Sequence, residues 1–148
     1  MRLDFGGVET RHCHGERTIE ATSGSIASSP PGKRYCFNQA CAWVLHTPVA
    51  DILVLRFTRV ALECAIAREG GDFFDLARVH DGATAHAPML AQVTCGTAPT
   101  VHSSGQHLFV SFSSDDLFNF AGFSADFSSG ADYCAAFSSC GGCAAQVA

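Results

Sequence analysis

Eight cysteines are the residues of this 148-residue chain with the clearest capacity for chemistry, either as disulfides or as metal ligands. The spacing Cys140-x-x-Cys143 is typical of two zinc ligands, and Cys13 lies between His12 and His14. A structural zinc site takes four ligands, usually as two such pairs, and the sequence has no second Cys-x-x-Cys. We therefore expect disulfide bridges and an oxidising, extracellular environment rather than a zinc site.

The sequence contains none of the common catalytic patterns. It has no Gly-x-Ser-x-Gly nucleophile elbow, no Cys–His signature and no Gly-rich phosphate loop. A catalytic histidine needs a nucleophile and an orienting acid beside it, and no such grouping stands out among the seven histidines. We predict His80 and His107 in or beside strands, and His46, His86 and His102 in surface loops. The sequence thus predicts a non-catalytic protein.

Composition and charge exclude several other classes of protein. The chain is 47% hydrophobic and 16% charged, which is typical of a folded domain. Its net charge is −5 with nine scattered Lys and Arg, so a nucleic-acid partner is not expected. No apolar run is long enough to span a membrane. The first seven residues lack the apolar centre of a signal peptide, which predicts a fragment of a longer extracellular protein or a mis-set start.

Short stretches of alternating polarity predict strands joined by polar turns. In residues 52–59, Leu53, Leu55 and Phe57 fall on one face and Arg56 and Thr58 on the other. Further strands are predicted at 42–46, 76–80, 108–112 and 122–127. Residues 1–34 are polar and predict at most one edge strand, and 83–91 predicts a helical turn interrupted by a proline. This pattern favours an all-β sandwich or barrel.

The order and spacing of several short motifs resemble the CUB domain, a spermadhesin-like fold. The motifs are Cys13, Ser23-Gly24-x-Ile26, Cys41-Ala42-Trp43, Leu53-x-Leu55-x-Phe57, Phe74-Asp75, Asp81-Gly82, Cys95-Gly96, Leu108-x-Val110-x-Phe112-x-Ser114-Asp115 and Gly122-Phe123-x-Ala125. The resemblance covers residues 13–128, preceded by an extension at 1–12. It implies an antiparallel jelly-roll β-sandwich of two sheets that acts outside the cell in protein or carbohydrate recognition.

The cysteines depart from the family pattern. The resemblance implies a Cys13–Cys41 bridge, which would join the lead-in segment to the sandwich. The usual partner of Cys95 is absent, because Asp72 stands at its position. Cys64 is the first candidate to replace that partner, and Cys36 is the other. The tyrosine of the family's Ser-Pro-x-Tyr-Pro stretch is also missing.

Some family members bind Ca²⁺, and the resemblance implies Glu63, Asp75 and Asp115 as the corresponding ligands here. Asp116 stands where the family has a Ser or Asn ligand and is an alternative oxygen donor. Glu69 is an alternative to Glu63, since the segment between Glu63 and Asp75 looks like an insertion relative to the family. Ca²⁺ takes six to eight oxygen ligands, and neighbouring carboxylates repel one another unless a cation neutralises them.

Two other interpretations of this region stay open. Asp81 and Asp115 are also typical turn residues that accept hydrogen bonds from backbone N–H groups, which needs no ion. Phe118 and Phe120 follow the acidic residues in a predicted loop. They either fold back over the end of the sandwich or form an exposed aromatic contact for a ligand.

The last residues resemble the start of a second family. Cys134-x5-Cys140-x2-Cys143, with Phe137 between, is similar to the opening of a PSI (plexin–semaphorin–integrin) domain. Residues 129–148 are therefore predicted to be an incomplete PSI-like segment.

The predicted function is recognition within a larger extracellular protein, in adhesion or assembly. The expected partner is an extracellular protein that presents Lys or Arg, with Ca²⁺ as the implied cofactor. Two alternatives are a non-catalytic accessory domain of a secreted protease or hydrolase, and an inert structural spacer.

Overall fold

The computed structural model describes residues 15–30, 32–36, 38–48, 52–62, 75–94, 97–114 and 120–130. Within these ranges the chain forms nine strands. They are β1 (Gly15–Glu20), β2 (Ser23–Ala27), β3 (Ala40–His46), β4 (Leu53–Ala61), β5 (Leu76–His80), β6 (Met89–Val93), β7 (Thr100–His102), β8 (His107–Ser113) and β9 (Gly122–Ser129).

The strands form two sheets that face each other across one core. The first sheet has the order β1-β3-β8-β5-β6 and the second the order β2-β9-β4-β7. Every pairing is antiparallel except that of β1 with β3, which is parallel. The predicted antiparallel jelly-roll sandwich is confirmed.

Alternation along the central strands fills the core. In β4, Leu53, Leu55 and Phe57 are buried while Arg56 is exposed, because successive side chains of a strand point to opposite faces. The ring of Phe123 on β9 lies at the centre. It contacts the rings of Trp43, Phe57 and Phe112 at centroid distances of 5.7, 5.5 and 5.6 Å. These contacts join strands from both sheets into one apolar layer, and Trp43 is buried within it.

Three strands of the structure were not predicted from the sequence pattern. β1 lies in the predicted lead-in, and its largely exposed residues are held by pairing with β3 rather than by burial. In the segment 83–91, predicted as a helical turn, the Ala87 N–H donates to the Thr84 carbonyl at 3.1 Å to close a single turn, and β6 begins at Met89; β7 is three residues long. His46 and His102 therefore lie in strands rather than in surface loops. Edge strands such as β1 and β6 need only backbone hydrogen bonds on one side, so no alternating pattern marks them.

Candidate functional site

Strands from both sheets begin or end at the same end of the sandwich. Ser113, the last residue of β8, is paired both with Ala40 at the start of β3 and with Leu76 at the start of β5. In the other sheet, Ala61 at the end of β4 is paired with Gly122 at the start of β9. We call this the acidic end, because the predicted ion ligands occur in the adjoining chain segments.

Asp75 lies at the acidic end, directly before β5, and its side chain is fully buried. The buried hydroxyl of Tyr35 donates a hydrogen bond to Oδ2 of Asp75. The Tyr35 ring packs edge-on against Phe112 at 5.3 Å, and the Tyr35 N–H donates to the carbonyl of Phe120 at 3.1 Å. Burial of a carboxylate costs free energy unless it is hydrogen-bonded and its charge is compensated. The Tyr35 hydroxyl supplies a hydrogen bond to Asp75.

The role of Tyr35 was missed from the sequence. Tyr35 is one of two tyrosines in the chain and stands six residues before Cys41. Nothing in the local pattern, however, shows that its hydroxyl reaches a residue 40 positions later.

A buried amide connects the Tyr35 segment to the end of β8. The side chain of Gln39 accepts a hydrogen bond from the Cys36 N–H at 2.7 Å and donates one to the Ser28 carbonyl at 2.9 Å. The Ser114 hydroxyl accepts from the Gln39 N–H at 2.8 Å and donates to the Cys36 carbonyl at 2.6 Å. Gln39 and Ser114 thus fix the segment that carries Tyr35 against the residue that precedes Asp115.

Of the predicted ion ligands, Asp75 falls within the described residues. Glu63, Glu69, Asp115 and Asp116 lie outside them. The described part of the chain contains no group of three His, Cys, Asp or Glu placed to hold a metal ion. Asp81, the predicted turn residue, accepts a hydrogen bond from the Ser104 N–H at 2.9 Å, which agrees with a capping role.

The described ranges contain two of the eight cysteines. Cys41 belongs to a disulfide, whereas Cys36 retains its thiol. Cys13, Cys64 and Cys95 lie outside the described residues, as does Phe118. Phe120 is 39% exposed at the acidic end.

A model of the CUB domain family matches residues 13–127 of the chain. The chain belongs to the CUB domain family. It is 32% identical over 113 residues to an astacin-like metalloendopeptidase of Coturnix japonica, covering 75% of this chain and 26% of that protein. It is 36% identical over 109 residues to cubilin of Sus scrofa, covering 72% of this chain and 3% of that protein. Both relatives are therefore much longer than the segment that they share with this chain.

A solved structure shows the same fold. The CUB2 domain of MASP-1 bound to Ca²⁺ superposes with a TM-score of 0.64 at 15% identity, covering 79% of this chain and all of that domain. CUB domains are non-catalytic binding modules, and residues 13–127 of this chain form such a module. Among the described residues, no helix has the length and apolarity needed to cross a membrane. The predicted PSI-like segment lies beyond the matched range, and residues 131–148 lie outside the described ones.

Proposed function

We propose that this CUB domain is an extracellular recognition module that binds Ca²⁺ at the acidic end. Its ligands are Glu63, Asp75 and Asp115, with Asp116 or Glu69 as a substitute. The partner is an extracellular protein that presents Lys or Arg. The observation that carries the proposal is the fully buried Asp75 carboxylate held by Tyr35.

The donor set fits a hard cation. All the proposed ligands are carboxylates, which suits Ca²⁺ and not a soft metal. Glu63 directly follows Leu62 and Asp115 directly follows Ser114 in the sequence. Leu62 and Ser114 both adjoin the acidic end, Leu62 after β4 and Ser114 after β8. Chain connectivity therefore favours the approach of three carboxylates from three different strands.

A cation would change the energetics of this end. Carboxylates brought close together repel one another, and Ca²⁺ replaces this repulsion by attraction to a common ion. Bound Ca²⁺ would tie the segments after β4 and β8 to the start of β5. Three carboxylates around one Ca²⁺ leave one negative charge in excess, which attracts the side chain of Lys or Arg.

Two further features support recognition at the same end. Phe120 exposes its ring next to the Tyr35 segment, and exposed aromatic side chains are enriched in protein interfaces. The disulfide at Cys41 is consistent with an oxidising, extracellular compartment.

Calorimetric titration of the whole chain with Ca²⁺ tests the ion site. We expect one strong site in the native chain and at least a tenfold weaker one in Asp115→Asn and Asp75→Asn. The matched control is Asp126→Asn, because Asp126 is exposed and pairs with Arg56 at 3.7 Å on the second sheet. If Asp75→Asn does not fold, a thermal melt of the native chain provides an independent test. Its melting midpoint should fall when a chelator removes Ca²⁺. An unchanged midpoint, or equal affinities in all variants, would refute the site.

Arrayed synthetic peptides test recognition. Each peptide carrying Lys or Arg is printed beside a copy with Gln in its place, and the array is probed with and without chelator. We expect the domain to be retained on the Lys and Arg peptides only when Ca²⁺ is present. Phe120→Ala should reduce this retention. Equal retention on the Lys or Arg peptides and on their Gln copies, unchanged by chelator, would contradict the proposed partner chemistry.

One relative favours a second candidate function. The astacin-like metalloendopeptidase shares 113 residues with this chain in a much longer protein, so this domain would serve as an accessory module beside a protease. Catalytic motifs in the flanking coding sequence would support that role. If substitution of both Asp75 and Asp115 leaves the result of every binding assay unchanged, an inert spacer would be favoured.

A further inference from the structure

Three polar side chains form a row across the first sheet, at the end of β3 opposite to the acidic end. Glu20 on β1 is the register partner of His46 on β3, and His46 is the register partner of His107 on β8. Trp43 and Leu45 of β3 belong to the core, so alternation directs His46 to the outer face of the sheet. Directly opposed side chains have Cβ atoms only about 4.5–5.5 Å apart, which is close enough for a shared ligand.

The two imidazoles are stacked. Their ring centroids lie 4.4 Å apart and their planes differ by 13°. The side chain of His46 is 25% exposed and that of Glu20 is 61% exposed. His107 is also partly exposed. Solvent and small solutes therefore reach this pair.

Glu20 selects which ring nitrogen of His46 is available. Nδ1 of His46 lies 3.0 Å from Oε2 of Glu20, and a carboxylate at that distance accepts the Nδ1–H. In the neutral ring this places the lone pair on Nε2. The same carboxylate–histidine arrangement supports metal-bound histidines in proteins, where it fixes the tautomer and raises the basicity of the ligand.

We propose that His46 and His107 chelate a divalent transition-metal ion of the Zn²⁺ class, with Glu20 as the positioning carboxylate. Imidazole nitrogen suits Zn²⁺, whereas Ca²⁺ takes oxygen, so the sheet face and the acidic end would select different ions. Nitrogens bound at about 2.0–2.1 Å in tetrahedral geometry lie about 3.3 Å apart. The two ring planes now differ by only 13°, so their in-plane lone pairs do not converge, and binding would require the rings to rotate out of the stack about their side-chain bonds.

Water completes the coordination of such an ion. No three His, Cys, Asp or Glu side chains in the described part of the chain already stand at metal-binding separations. A site with two protein ligands and open positions remains accessible to a further donor, such as a histidine of a partner protein.

Zn²⁺ titration of the whole chain in saturating Ca²⁺ tests the proposal. Calorimetry compares the native chain with His46→Gln and His107→Gln, and His86→Gln serves as the exposed histidine control. We expect at least a tenfold loss of affinity in each of the first two variants and none in the control. Glu20→Gln should weaken binding by about tenfold while leaving both imidazoles coordinated, as expected for a supporting carboxylate.

Long-range ¹H–¹⁵N spectra of the imidazoles identify the ligand atoms and separate this site from other zinc-binding groups of the chain. On addition of Zn²⁺, we expect the Nε2 signal of His46 and one ring-nitrogen signal of His107 to shift together. Circular dichroism confirms that the variants are folded. Zn²⁺ binding that leaves the signals of both histidines unmoved, or equal affinities in His46→Gln, His107→Gln and His86→Gln, would overturn the proposal.

Discussion

The hydroxyl of Tyr35 donates a hydrogen bond to the carboxylate of Asp75, and both side chains are buried. Tyr35 lies in the segment before β3, whereas Asp75 directly precedes β5. β8 lies between these two strands in the first sheet. The hydrogen bond therefore joins parts of the chain that are not sheet neighbours. It also holds the carboxylate of Asp75, the proposed Ca²⁺ ligand, in place.

Replacement of Tyr35 by Phe should destabilise the domain and weaken Ca²⁺ binding. The variant removes one hydrogen bond to a buried charged group, and we expect a loss of about 1.5–3 kcal/mol in the free energy of unfolding. Denaturant unfolding measures the loss, and calorimetry measures the affinity for Ca²⁺.

A double-mutant cycle with Asp75→Asn provides the control for Tyr35→Phe. Two residues in direct contact should give effects that do not add. Additive losses would show that the effect of the Tyr35 hydroxyl does not depend on Asp75.

Removal of the Gln39 side chain should loosen the acidic end. Gln39→Ala leaves the Cys36 N–H and the Ser28 carbonyl without their present partner. We expect a loss of about 1–3 kcal/mol in the free energy of unfolding and weaker Ca²⁺ binding. The matched variant is Gln92→Ala, because Gln92 is exposed on β6 and should tolerate the change. Similar losses in the two variants would argue against a special role for Gln39.

The sequence predicts the central strands well because burial imposes their alternation. The predicted run at 76–80 coincides with β5, and the run at 52–59 falls within one or two residues of β4. β1 was not predicted, because backbone pairing with β3 holds its exposed residues and leaves no pattern in residue type.

The sequence predicts only part of the candidate site, because most of its contacts join residues that are far apart in the chain. Asp75 follows from a motif that resembles a family and was found buried at the acidic end. Tyr35 and Gln39 act through contacts with Asp75 and Ser114, which are distant in sequence. Such contacts depend on how the strands pair, and a single sequence does not encode that pairing locally.

The Cys13–Cys41 bridge stays a prediction that mutagenesis can test. Cys41 belongs to a disulfide and is the register partner of Gly15, two residues after Cys13. Two residues span at most about 7 Å, so Cys13 is within reach. We expect Cys13→Ala and Cys41→Ala each to lose about 3 kcal/mol of unfolding free energy, and the double variant to lose little more.

Peptide mapping under non-reducing conditions checks the connectivity directly. The control is Cys36→Ala, which should leave the Cys13–Cys41 crosslink intact because Cys36 retains its thiol. A crosslink from Cys41 to any other cysteine, or a fully stable Cys13→Ala variant, would contradict the bridge.

Gly122→Ala should destabilise the junction of β9 with the residues after β2. Gly122 has φ of +86°, a conformation that favours glycine, and an added Cβ would overlap the Ser28 hydroxyl oxygen. That oxygen accepts a hydrogen bond from the Phe123 N–H at 3.0 Å, so the added methyl also displaces a buried polar contact. We expect a loss of more than about 1 kcal/mol in denaturant unfolding, whereas Gly105→Ala should be nearly neutral because its added Cβ meets nothing within 4 Å. Equal stability of the two variants would show that the turn before β9 adapts without strain.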